Sequence, residues 1–155
     1  MNDHHLPSLD PNRLATLAIE ALERTAFVLA DPAERPDALP EAEIAAEIRF
    51  HGPESGRVGL HASRAFARNL AASLLGCDAA EIRDEQADEA LRELANIVAG
   101  SVLSSLGGDD CRFSLGLPET IPPESALRDG SGATRCILDA EGERLEITCR
   151  HHAAA

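Results

Sequence analysis

Lysine, tryptophan and tyrosine are missing altogether from this chain of 155 residues, and phenylalanine occurs only four times. With few aromatic rings to stack on bases, and 27 acidic residues against 14 basic ones that are all arginine, the chain lacks the equipment for binding nucleic acid. The net charge of −13 likewise opposes an anionic membrane surface. No apolar run approaches the roughly 18 residues of a membrane-spanning helix, and nothing resembling a signal peptide precedes the domain. Cysteine is sparse too. Cys77, Cys111, Cys136 and Cys149 form no C-x-x-C and have no histidine at a zinc-like interval, so they are read as reduced thiols and no metal site is expected. These absences point to a soluble, cytoplasmic domain that engages neither nucleic acid nor membrane.

What remains is a core of leucine, isoleucine, valine and alanine. Apolar residues make up 44% of the chain, and a single domain of this length buries roughly 68–70% of its unfolded surface without a metal or a disulfide. Asp10-Pro11 reads as N-cap and first turn of a helix over about 11–27, with Leu14, Leu17, Ala18, Ala21, Leu22 and Thr25 on one stripe. Asp31 to Pro40, with three prolines, is expected to be a connecting loop. Ile44, Ala46, Ile48 and Phe50 alternate with polar residues, and Val58, Leu60 and Ala62 repeat the pattern after His51–Gly56, which predicts an antiparallel hairpin. Ser63 caps a second helix with Ala65, Phe66, Leu70 and Leu74 inward and Gly76 at its end. Cys111, Phe113, Leu115 and Leu117 predict a half-buried strand closed by Pro118, followed by loop to Gly132. Residues 134–139 and 144–149 form a closing hairpin, and the pairs His4-His5 and His151-His152 fall outside any element. Clustered strands separated by helices define an α+β fold: one domain over 10–150, with a largely antiparallel sheet, helices packed on one face, and tails at 1–9 and 151–155.

The longest helical pattern, residues 84–106, holds the candidate site. Ala87, Leu91, Leu94, Ala95, Val98, Val102 and Leu106 share one stripe, while Glu89, Glu93, Asn96 and Gly100 line the other side. Asp84 reads as the N-cap and Gly107-Gly108 as the stop. Glu93 and Asn96, three apart, project side by side. An amide both donates and accepts, so it can orient a water, while a carboxylate can hold a cation. With 16 glutamates and four asparagines, about 0.4 Glu-x-x-Asn pairs arise by chance, so the pair gains weight only from its setting. That setting includes Gly100, placed mid-helix at a propensity cost of roughly 0.8–1.0 kcal/mol relative to alanine.

At these residues the chain resembles the CheX-like branch of the CheC/CheX/FliY chemotaxis phosphatases. Glu93-Leu-Ala-Asn96-Ile-Val-Ala-Gly100 looks like the signature helix of that family, and Gly56-Arg-Val-Gly-Leu60, Leu74-Leu-Gly76 and Phe113-Ser-Leu-Gly-Leu-Pro118 follow in the expected order over residues 11–150. The resemblance implies a CheX-like fold, a homodimer, and hydrolysis of the aspartyl phosphate on a CheY-like response-regulator receiver domain. Carried over, Glu93 engages the receiver's lysine and Asn96 positions the attacking water, with Glu89, Arg92, Ile97 and Gly100 on the partner-binding surface. No cofactor of its own is implied; Mg²⁺ would arrive on the receiver. Glu89 stands where the family often has Asp or Ser, and Arg92 where a small residue is common. The first helix has Glu20 and Glu23 without a matching Asn, so one motif is present, as in CheX. The alternative is a non-catalytic module that binds or sequesters a receiver or flagellar-switch protein through the same face.

Overall fold

In the computed structural model of the chain, residues 9–107, 113–124 and 133–153 are described. His4-His5, Cys111 and the expected stop at Gly108 lie outside them. Helix α1 spans Pro11–Ala26, where the Asp10 carboxylate accepts from the Arg13 N–H at 2.8 Å. Strands β2 (Ile44–His51) and β3 (Glu54–Ala62) form the expected hairpin, with a tighter turn than expected at residues 52–53. Helix α2 (Arg64–Leu75) is capped by Ser63, whose Oγ accepts from the Phe66 N–H, and ends at Gly76 in the left-handed region, φ 70°. Helix α3 runs Asp84–Gly107. Strands β6 (Ala133–Ala140) and β7 (Glu143–Ala153) close the domain through a turn with Glu141 at φ 55° and Gly142 at φ 88°, the pairing that a two-residue hairpin turn demands.

Three short strands complete the sheet: β1 (Asp31–Pro32), β4 (Ser114–Leu115) and β5 (Glu119–Ile121). The order is β1-β6-β7-β3-β2-β4, with β5 also on β2, and every pairing is antiparallel. Rungs such as Ile48–Val58–Cys149 and Ala46–Leu60–Ile147 present one apolar face. Against it α3 packs over β2 and β3, α1 over β6, and α2 against α3 and β7. The fold is therefore the expected α+β domain with helices on one face. No helix among the described residues is long and apolar enough to cross a membrane.

Several expectations need correction. The expected loop at 31–40 contributes β1 and a 3₁₀ turn at Pro36–Ala38, because Ala33 N–H reaches Ile137 O. Of the strand expected over 111–117, the described residues 113–117 form only the two-residue β4, and Leu117 is 87% exposed rather than half-buried. The supposed loop after Pro118 begins with β5, which finds backbone partners at Ala45–Glu47. Ala65 and Leu74 of α2 face outward instead of inward. The closing strand continues through His151 and His152 to Ala153, since Glu54–Gly56 offers it a ladder. At the start of α3, Asp84 is the first helical residue and not the cap. Its carboxylate is taken by Arg68 at 2.9 Å and Arg64 at 3.3 Å, an arrangement that lowers its pKa, chiefly through the Arg68 hydrogen bond. Gln86 instead accepts from the Arg83 N–H at 2.9 Å.

The middle of the sheet's polar face is buried as well, which alternation alone does not reveal. Glu47, His61, Glu146 and Thr148 all lie there with little exposure. Glu146 accepts from Arg144 Nη1 at 2.7 Å and Arg135 Nη2 at 2.9 Å, and Arg144 Nε also donates to Pro40 O at 2.7 Å. One buried carboxylate thus ties β6 and β7 to the loop before β2.

Cys77, Cys136 and Cys149 are free thiols. Burial pushes Cys136 and Cys149 up to about 12 from 9.0. The folded state therefore keeps protons that the unfolded chain releases, so stability is full below pH 9 and falls as pH rises toward 12, by about 1.4 kcal/mol per pH unit for each thiol. With no lysine or tyrosine in the chain, these thiols dominate that window. Urea denaturation at pH 8 and pH 10.5 should show a clear loss, reduced in Cys149→Ala relative to its own stability at pH 8; a flat profile would contradict it.

Candidate functional site

Helix α3 is built to show one face. Ala87, Leu91, Leu94, Ala95, Val98, Val102 and Leu106 are all buried as expected, joined by Ala90, Ala99 and Leu103, which widen the stripe. Opposite them Glu89 and Glu93 are exposed, and Asn96, Ile97 and Gly100 are half-buried. Among the described residues Glu93 and Asn96 have no hydrogen-bond or ion-pair partner, so both heads are available to a ligand. Helical spacing sets their Cβ atoms about 5–6 Å apart.

Two open grooves flank this pair. One, of about 430 Å³, is lined by Ala71, Leu74 and Leu75 of α2, by Glu89, Arg92 and Glu93 of α3, and by Pro118. The other, of about 590 Å³, lies between Leu17, Glu20 and Arg24 of α1 and Ile97, Gly100 and Ser101 of α3. Arg13 fixes the far end of that second groove, donating to Ser105 Oγ at 2.6 and 3.0 Å. The structure therefore brings all six sequence-selected residues onto or beside one helix face. Arg92 is the exception in orientation: it is half-buried and donates to Thr120 Oγ1 of β5 at 2.6 Å.

Sequence reasoning missed the contributions of Glu20 and Arg24 from α1, Leu74 and Leu75 from α2, and Thr120. For the leucines a signal existed, since two adjacent leucines before a helix-ending glycine cannot both face inward. Among the described residues no group of three or more His, Cys, Asp and Glu could hold a metal ion.

Gly100 has room. A Cβ added there meets nothing within 4 Å, so Gly100→Ala should stabilise the domain by about 0.8–1.0 kcal/mol through helix propensity alone. A urea midpoint that fails to rise would show that the chain's own packing needs this glycine.

An exposed helix face carrying a free carboxylate and a free carboxamide, flanked by open grooves, suits a macromolecular surface better than an enclosed small substrate. The fold and this face together define an α+β domain built around one display helix. The chain belongs to the chemotaxis phosphatase CheX family, whose family model matches residues 44–141. Among solved structures it is similar to the chemotaxis protein CheX from Vibrio vulnificus, with 15% identity, TM-score 0.74, and coverage of 98% of this chain and 100% of that one. It also resembles a CheC-like superfamily protein from Shewanella sp. PV-4, at 17% identity and TM-score 0.69, covering 99% and 100%. A third likeness is to the structure of the CheX-CheY-BeF3-Mg+2 complex from Borrelia burgdorferi, at 16% identity and TM-score 0.66, covering 94% and 99%. At such identities these likenesses establish the fold. No curated protein matches the chain.

Proposed function

We propose that this protein hydrolyses the aspartyl phosphate of a CheY-like receiver domain, with Asn96 orienting the attacking water and Glu93 gripping the receiver's lysine. The observation that carries the reading is the Glu93–Asn96 pair on the exposed face of α3, without partners among the described residues, in a CheX-family domain. The crystallised relative in complex with CheY supports the class of partner. The chemistry is suited to so spare a site. Phosphoryl transfer asks mainly for positioning and charge stabilisation, and a side-chain amide can hold water in line with phosphorus. The receiver supplies its own Mg²⁺, which neutralises phosphate oxygens, so no cofactor is required of this chain.

The absence of lysine helps Glu93. No lysine of the chain competes for it, and the adjacent Arg92 directs Nη1 to Thr120. Glu89, Ile97 and Gly100 extend the contact along the helix, Gly100 leaving clearance for the receiver's backbone. The reading carries with it a cytoplasmic location and a homodimer, the latter open to sedimentation analysis.

The test is turnover. This protein at one-tenth the concentration of a phosphorylated CheY-like receiver should release phosphate through many cycles, faster than the receiver alone. Binding without acceleration, even at stoichiometric protein, would make it a sequestering module instead.

A further inference from the structure

The first groove beside the helix face carries an additional assignment, which rests on the receiver reading above. Its apolar lining comes from Leu74 and Leu75, 41% and 57% exposed at the end of α2, with Ala71, Ala90 and Pro118. Burial of leucine is favourable, and here two lie side by side in the groove that Glu93 also lines. Leu117, 87% exposed, adjoins Pro118 in the chain.

The wall is held in place before any partner arrives. Residues 116–121 are pinned to β2 by Gly116 N–H donating to Arg49 O at 2.8 Å and by the β5 ladder, and to α3 by Arg92 donating to Thr120 at 2.6 Å. A Cβ at Gly116 would come within 3.4 Å of Arg49 O, so the strap sits close against the strand. This gives Arg92 a purpose other than facing the partner: it is a positioning residue for the wall.

The rim is acidic. Glu89 and Glu93 line the same groove as Leu74 and Leu75, so the matching surface is a cation beside an apolar side chain. Whatever places a lysine on Glu93 must also cover this groove. Toward a receiver of negative net charge, a domain of net charge −13 gains no long-range attraction, and the affinity then falls to the local contact.

We propose that the groove between Leu74, Leu75 and Pro118 receives an apolar side chain of the receiver, adjacent to the lysine held by Glu93, and that this contact sets which receiver is accepted. Shape and apolar burial then provide the affinity and Glu93 provides the register.

The test is saturation kinetics of receiver dephosphorylation for Leu74→Ser/Leu75→Ser, with Leu75→Met as the conservative control and Asn96→Ala as the catalytic one. The double variant should raise KM about tenfold with kcat kept, as expected for losing a buried anchor, while Leu75→Met restores the native KM. If the double variant melts early, Leu75→Ser alone decides, since its side chain is the more exposed. Unchanged KM, or a fall in kcat alone, overturns the groove assignment. If the unmodified protein accelerates nothing, the receiver reading itself has failed. Acceleration that depends on Asn96 but is indifferent to both leucines sinks this inference only.

Discussion

Asn96→Ala is expected to lower the dephosphorylation rate about 100-fold, toward the receiver's own rate, without weakening the fold. A reacting water displaced by about 1 Å can cost that much. Stability should hold or rise slightly, because Asn96 is half-buried, has no hydrogen-bond partner among the described residues, and yields to a better helix former. Phosphate release and thermal unfolding on one preparation separate the two quantities. A variant that loses activity only because it melts would point to packing instead. The same reasoning gives Gly100→Ala opposite signs on the two measurements: more stable, and slower if the receiver's backbone must pass there.

The largest stability loss should follow Glu146→Ala, about 3–5 kcal/mol, the range typical of removing one partner from a buried ion pair. Glu146 is 4% exposed, and the side chain of Arg144 is 12% exposed. Removing the carboxylate leaves Arg144, among the described residues, with only the carbonyls of Pro40 and Pro36, and frees Arg135 on β6. Against a typical total of about 5–15 kcal/mol, such a loss would be visible at once in a urea titration at pH 7. A loss below about 1 kcal/mol would mean that water reaches the pair and screens it.

Much of this fold was legible because local signals agreed with one another. Asp10-Pro11, Ser63 and Gly76 behave as caps, and the apolar stripe of α3 is buried residue for residue. What the sequence could not convey was decided between elements. Asp84 has the chemistry of a cap, yet two arginines of α2 claim it. Leu115 and Leu117 alternate like strand residues, but the chain there only touches β2 at its edge and then runs as a strap past α3. Glu47, Glu146 and Thr148 read as a solvent face, and they are buried. The candidate site was legible in its residues, because helical spacing alone puts Glu93, Asn96 and Gly100 on one side. Its surroundings were not, because Leu74, Leu75 and Pro118 meet Glu93 only through tertiary packing.

The central claim is a division of labour along one helix face, and saturation kinetics of Glu93→Gln and Asn96→Ala, measured side by side on a phosphorylated receiver, test it most directly. Glu93→Gln should chiefly raise KM by weakening the grip on the receiver's lysine, and Asn96→Ala should chiefly lower kcat with KM nearly unchanged. Undiminished turnover in Asn96→Ala would contradict the account.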